Sequence, residues 1–283
     1  MTPHRTGRIV FIDVDGTIID HDEYVAPSTV AAIRGAREAG HLVYLCTGRA
    51  RGDLHPAVRA IGFDGAITNG GATAHVADEQ IVSRLMPAAS VSRLVGSFEA
   101  RGIHYFLQTD DEVFASPGML ALVRERVRAA RTAAVEGPED SLAGIGHRTY
   151  RDVSDAPRDT VAKAVFVSLA DDAVEVLDRE LGDEFHVVNG SMPLPGGTSG
   201  EICMLGTNKG SAIELVLEHL GLEASDAVGV GDSWNDVEMF EVCGTAVAMG
   251  NAEPTLKALA DHITTTVRDN GVWNAFRALD LVG

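Results

Sequence analysis

Arg8-Ile9-Val10-Phe11-Ile12-Asp13-Val14-Asp15-Gly16-Thr17 is the stretch that decides the fold. Ile9 to Ile12 is an unbroken apolar run. It reads as a strand buried on both faces, the signature of a parallel sheet with covered faces. The run stops abruptly at Asp13, so a carboxylate sits at the strand's C-terminal end. Asp15 follows two residues later, across a tight turn that Gly16 permits.

The same pattern recurs outward from this point. Thr29 to Ala39 has helical spacing and ends at Gly40. Leu42 to Cys46 is a second apolar run, closed by Thr47-Gly48-Arg49, and Ala57 to Ile61 reads as helix. Gly65 to Thr68 is a third strand, closed by Asn69-Gly70-Gly71. Alternating strand and helix predicts a parallel α/β sheet. The middle differs: Val76 to Met86 alternates like a hairpin, and Ala88 to Ala100 and Met119 to Ala130 read as helices. Tyr105–Gln108, Glu112–Ala115, Ala164–Leu169 and Phe185–Asn189 read as strands, and Glu136 to Gly146 as a loop. From Asn208 the first style returns, with a helix over Lys209–Leu220, a strand over Asp226–Val230 closing on Gly231-Asp232, and a helix over Trp234–Val242. Thr245 to Met249 reads as a strand and Pro254 to Ala260 as a short helix. The predicted architecture is α/β: a doubly wound, Rossmann-like parallel sheet built from residues 1–79 and 199–283, with an α+β domain inserted over residues 80–198.

Composition narrows the partners. The 283 residues carry 23 Lys+Arg against 41 Asp+Glu, a net charge of −18. Such a surface repels nucleic acid and anionic lipid, so neither is an expected partner. It repels phosphorylated molecules too, so a phosphate site must build its own positive potential. Cys46, Cys203 and Cys243 are scattered and match no metal spacing. Reduced, buried thiols and a cytoplasmic location are expected, because no apolar stretch suits a signal-peptide core or a membrane span. His21, His41, His55, His75 and His104 also lack a paired metal spacing.

In open α/β sheets, ligands bind at the C-terminal strand ends. The polar residues there, with Lys209, form a coherent set for phosphoryl transfer. Asp13 is placed to attack phosphorus and form an aspartyl-phosphate. Asp15 suits general acid and base work on the leaving alkoxide and then on water. Magnesium takes hard oxygens, which Asp13 and Asp232 can supply. Thr17, Thr47 and the turn N–H groups, Gly48 included, offer donors to phosphate oxygens. Lys209 opens a helix, and its charge offsets the crowding of Asp13, Asp15 and Asp232.

These residues resemble the motifs of the haloacid-dehalogenase superfamily. Asp13-Val14-Asp15-Gly16-Thr17 is similar to its first motif, Thr47 to its second, Lys209 to its third and Gly231-Asp232-Ser233-Trp234-Asn235-Asp236 to its fourth. About 30 residues separate Thr17 from Thr47, and about 160 separate Thr47 from Lys209, so a cap fits only in the second interval. That resembles the Cof-type subgroup, with its α/β (IIB) cap that sets specificity. The resemblance implies a magnesium-dependent phosphatase of small phosphate monoesters such as sugar phosphates, nucleotides or cofactor phosphates, monomeric or homodimeric. It implies Asp13 as nucleophile and metal ligand, Asp15 as acid/base that also binds metal through its carbonyl, and Asp232 as metal ligand. Thr17, Thr47, Gly48, Lys209 and Asn235 would bind phosphate, with Arg49, Asn69 and Asp236 in support.

Asp15 discriminates within the superfamily: ion-pumping ATPases carry Thr there and dehalogenases lack the Asp. Several readings stay open. Asp236 either orients Lys209 or a metal-bound water, or ligates. Asn69 either contacts substrate or cap, or only adopts the left-handed turn that Asn-Gly favours. Trp234 either shapes the pocket or packs the helix start. A catalytically idle phosphate sensor is the rival function. A two-component receiver domain is excluded by length and by the placement of the acidic pair.

Overall fold

The computed structural model describes residues 7–125, 150–190 and 197–283. The predicted loop at 136–146 and the end of the helix predicted from Met119 lie outside these residues. The strands are β1 (Ile9–Ile12), β2 (Leu42–Cys46), β3 (Gly65–Thr68), β4 (Thr73–Val76), β5 (Glu79–Ser83), β6 (His104–Gln108) and β7 (Val113–Ala115). They continue as β8 (Tyr150–Asp152), β9 (Lys163–Ser168), β10 (Phe185–Asn189), β11 (Thr198–Met204), β12 (Ala227–Gly231), β13 (Thr245–Ala248) and β14 (His262–Ile263). Two compact units result, one from residues 7–48, 54–82 and 208–283, the other from 49–53 and the described part of 83–207.

In the first unit the strand order is β14-β13-β12-β1-β2-β3-β4-β5. Every pairing from β14 to β3 is parallel, and β4 turns back antiparallel against β3. β1 lies centrally, with Ile9 opposite both Ala227 and Leu42. Its four residues are fully buried because helices cover both faces. Val10 and Ile12 face a core shared with the helices Pro27–Glu38 and Gly271–Ala278, while Ile9 and Phe11 face one shared with Lys209–Leu220 and Val237–Val242. That is the period-2 alternation of a strand inside a three-layer stack. Each such side chain contributes about 1.5–3 kcal/mol on burial.

The topology places the crevice. From β1 the chain winds outward through β2 and β3, then restarts on the other side of β1 with β12, β13 and β14. The direction of winding reverses between β1 and β12. Open parallel sheets hold ligands at such a switch point, outside the C-terminal strand ends. Asp13 and Asp232 are the residues that leave β1 and β12 there.

The second unit has a sheet of order β10-β11-β9-β6-β7-β8, antiparallel except for the β7–β8 pair. The helices Ala88–Ala100 and Ala173–Leu181 pack on one face through Leu94, Phe98, Leu177 and Leu181 against Leu107, Phe166 and Ile202. The expected boundary at 198/199 falls at the start of β11, whose residues pair with β9 and β10.

All three thiols are free and buried. Burial pushes Cys203 and Cys243 up to about 12, and Cys46 well above the ordinary thiol value. A raised native pKa means the unfolded chain releases these protons first, so stability falls as pH rises from about 9 toward 12. In the native protein at pH 8, alkylation with iodoacetamide should label none of the three thiols within the time that labels all of them in denaturant. Rapid native labelling of Cys203 or Cys243, read by mass spectrometry, would contradict the buried placement.

Candidate active site

The first unit gathers Asp13, Asp15, Thr17, Thr47, Asn69, Lys209, Asp232, Asn235 and Asp236 at the strand ends. Asp13 is 3% exposed, and its N–H still donates to the Val230 carbonyl of β12 at 2.9 Å. The sheet therefore fixes where its carboxylate points. Asp15 is exposed, on the turn just beyond. Gly16 has φ +80°, and a Cβ there would stand 2.0 Å from Asp232 Oδ2. Only glycine lets the turn after β1 lie against the carboxylate after β12.

Lys209 is the first residue of its helix, and the helix start is firmly set. Asn208 and Ser211 form a reciprocal capping box: Asn208 Oδ1 accepts from Ser211 N–H at 2.8 Å, and Ser211 Oγ accepts from Asn208 N–H at 3.2 Å. Gly71 packs beneath the cap, since a Cβ on it would meet the Asn208 carbonyl oxygen at 2.0 Å. The run Asn69-Gly70-Gly71 has φ of 52°, 66° and 101°. The left-handed turn, one of the two readings open for Asn69, is present, and it seats the Lys209 helix. The Gly70 N–H donates to the Thr47 carbonyl at 3.0 Å, which ties the same turn to the end of β2. Thr47 itself is buried.

The Lys209 ammonium is 1% exposed and donates to Asp236 Oδ1 at 2.6 Å, Asp13 Oδ1 at 2.7 Å and Asn235 Oδ1 at 2.9 Å. An ammonium has three donors, and all three are used. Asp236 is fully buried, and its other oxygen accepts the N–H groups of Asp232 at 2.9 Å and Ser233 at 3.1 Å. Of the roles left open for Asp236, the geometry shows it orienting Lys209 and shaping the loop after β12.

Burial raises the Asp13 carboxyl well above its ordinary value; Lys209 opposes this, while Asp236, Asp232 and Asp15 add to it. Asp232 is pushed up to about 7, first by burial and then by the charge of Asp236. For Lys209, burial works against the charged form, but Asp13 and Asp236 more than reverse it, and the ammonium is held protonated. The expected offset of carboxylate crowding by Lys209 is therefore incomplete. When all three are ionised, Asp13, Asp232 and Asp236 carry more negative charge than one ammonium balances, which is why Asp13 and Asp232 are pushed toward their protonated forms.

That surplus fits a hard cation. Asp13, Asp232 and Asp236 offer carboxylate oxygens that all lie within 4.8 Å of one another. An all-oxygen donor set suits a divalent ion such as magnesium rather than a soft metal. Asp236 gives one oxygen to the Lys209 ammonium and the other to two backbone N–H groups, whereas Asp232 accepts only longer, neutral side-chain hydrogen bonds, so Asp13 and Asp232 are the carboxylates that would hold it.

Other residues sort as follows. Thr17 is fully buried, and its hydroxyl donates to Asp232 Oδ1 at 3.3 Å. Arg49 groups with the second unit, where it donates to the Asp53 carbonyl at 3.2 Å. Trp234 is 56% exposed, just before the helix Val237–Val242. Sequence reasoning misses Asn251: its Nδ2 donates to the Gly16 carbonyl at 2.8 Å and to Asp232 Oδ2 at 3.2 Å. A signal for it exists, because Asn251 is the polar residue that closes the β13 run, as Asp13 closes β1.

A model of the haloacid dehalogenase-like hydrolases matches residues 10–276. A phosphoglycolate phosphatase of Methanothermobacter thermautotrophicus is 30% identical over 274 residues, covering 95% of this chain and 97% of that protein. A 5-amino-6-(5-phospho-D-ribitylamino)uracil phosphatase of Bacillus subtilis is 25% identical, over 94% of this chain and 95% of its own. Among solved structures, a haloacid dehalogenase-like hydrolase from Bacillus subtilis superposes with a TM-score of 0.80 at 22% identity, over 96% of this chain and 99% of that one, a likeness of fold. The chain belongs to the haloacid dehalogenase-like hydrolase family and is an enzyme of it. The Cof-type resemblance of its motifs stands with that membership.

Breaking a buried ion pair by removing one partner typically costs about 3–5 kcal/mol. Lys209→Met leaves Asp13 and Asp236 facing each other in the core. It should lower unfolding stability by about that amount in a metal-free denaturant titration. A change under about 1 kcal/mol, the range of an exposed pair, would contradict the buried geometry.

Proposed function

We propose that this protein is a magnesium-dependent phosphatase that hydrolyses small phosphate monoesters through an aspartyl-phosphate on Asp13. The observation that carries the reading is the Lys209 ammonium, 2.7 Å from Asp13 Oδ1 at the end of β1, with Asp15 exposed two residues on. This is a nucleophile held in place beside a fixed positive charge, with a second acidic residue exposed on the same turn.

In the first step a carboxylate oxygen of Asp13 attacks phosphorus. The bond from phosphorus to the ester oxygen breaks, and the Asp15 carboxyl gives its proton to the leaving alkoxide. In the second step Asp15, now a carboxylate, takes a proton from water as the water oxygen attacks phosphorus. Inorganic phosphate leaves and Asp13 is regenerated. Magnesium, held by the carboxylates of Asp13 and Asp232 and the carbonyl of Asp15, would neutralise charge on the phosphate oxygens.

Lys209 must give up one partner to bind phosphate, because its three donors are occupied. Asn235 is the partner that can yield. It is exposed, it carries no charge, and its Oδ1 keeps the Ser233 hydroxyl as donor at 3.0 Å. Thr47 and the N–H groups around Gly48 complete the proposed phosphate cradle. Arg49 and Asn69 are assigned supporting roles. The second unit is proposed to be the cap that selects the organic part of the substrate.

The relatives fit this class. Their names refer to phosphoglycolate and to a ribitylamino-uracil phosphate, both small phosphate monoesters. A small phosphorylated metabolite is the substrate class proposed here, without nucleic acid or membrane as partner. Among the described residues, no helix is long and apolar enough to cross a membrane.

Phosphate release from p-nitrophenyl phosphate, phosphoglycolate and a panel of sugar phosphates, with and without magnesium, tests the reading. Turnover should require magnesium, and Asp13→Asn should lower it by at least about 10³-fold while the far-UV circular dichroism stays native. An Asp13→Asn variant of full activity would remove the nucleophile. A chain inert toward every phosphomonoester with metal present would favour the idle sensor.

A further inference from the structure

We propose that Asn251 is a positioning residue for Asp232, clamping the loop after β12 to the turn after β1 so that a divalent cation binds. The inference rests on the reading of Asp13 and Asp232 as the carboxylates that hold that cation.

Asn251 follows Met249 and Gly250 on the loop leaving β13. The backbone of that loop is fixed on several sides: Met249 N–H donates to the Gly231 carbonyl at 2.9 Å, Gly250 N–H to the Thr265 carbonyl at 3.0 Å and Ala252 N–H to the Met249 carbonyl at 3.0 Å. The Lys257 ammonium donates to the Gly250 carbonyl at 2.7 Å. From this platform Asn251 directs its amide nitrogen at two acceptors on two other strand ends, the Gly16 carbonyl at 2.8 Å and Asp232 Oδ2 at 3.2 Å. The amide has two hydrogens, one for each. Asn251 is an exposed residue, so its packing does not explain the arrangement.

The chemistry of the donor matters. Asp232 receives Thr17 Oγ1 on one oxygen and Asn251 Nδ2 on the other, both neutral. Neutral donors fix the direction of a carboxylate while leaving its charge for a cation. The Lys209 ammonium is spent elsewhere, on the charged partners Asp13 and Asp236 and the neutral partner Asn235. The clamp also holds Gly16 against Asp232, the contact that a Cβ at residue 16 would block. Partners that orient metal-binding side chains from behind typically account for about 10–100-fold in metal affinity.

The test is a magnesium chloride titration of the full chain without substrate, read by calorimetry and by the metal-induced rise in Tm, beside the magnesium dependence of turnover. Asn251→Ala should keep a metal-free Tm close to that of the parent, because the side chain is exposed. Its magnesium half-saturation should rise about 10–100-fold in both binding and turnover, with kcat recovering at saturating metal. If Asn251→Ala does not fold, Asn251→Ser carries the same titration. Unchanged magnesium affinity would overturn the proposal, even in a variant that loses metal-free stability or kcat. A parent chain that binds no magnesium would overturn it together with the metal reading, whereas a parent and variant that bind magnesium alike overturn this inference alone.

Discussion

The first unit depends on one buried ammonium. Lys209 lies between Asp13 and Asp236 with its three donors satisfied, and it joins the helix it opens to the ends of β1 and β12. Desolvating one cation and two carboxylates is costly, and good geometry offsets that cost only when every lone pair and proton finds a partner. Much of the local architecture supplies those partners. The capping box sets the Lys209 helix start, the left-handed Asn69-Gly70-Gly71 turn seats it, and backbone N–H groups hold the second oxygen of Asp236. The buried β1 and β12, paired side by side, hold the two loops in register.

The electrostatics of the site follow from the same constraint. The ammonium bonds Asp13 and Asp236 directly, and its charge favours ionised Asp232 too little to offset burial and Asp236. Burial and the neighbouring Asp236 then raise Asp232 to about 7. Carboxylates in excess of the ammonium repel a phosphate until a cation is added. The net charge of −18 makes this sharper, because the bulk surface offers no compensating attraction. The proposed need for magnesium thus follows from the charge balance around Lys209 as well as from the oxygen donors.

Much of this is legible in the sequence, for a physical reason. Strands buried on both faces read as unbroken apolar runs, so Ile9–Ile12 and Leu42–Cys46 mark themselves and the polar residues that end them. Elements lacking that signature are harder. β11 carries Ser199, Gly200 and Glu201 within an antiparallel sheet, and β14 is only two residues long. Neither reads as a strand. The helix Gly271–Ala278 also goes unassigned, although Val272, Ala275 and Phe276 pack at helical spacing. Spacing cannot reveal which way a side chain turns. That Asp236 faces Lys209, that Thr17 faces Asp232, and that Asn251 reaches across to Gly16 are consequences of tertiary packing.

In the proposed reaction Asp13 carries the phosphoryl group between two half-reactions. Acid quenching during the first turnover of a substrate labelled with ³²P, followed by peptide mapping, tests it most directly. Transient label should appear on the peptide that contains Asp13, released by hydroxylamine as expected of an acyl phosphate, and none in Asp13→Asn. Turnover in which no label ever reaches the protein, or label on a peptide lacking Asp13, would contradict it.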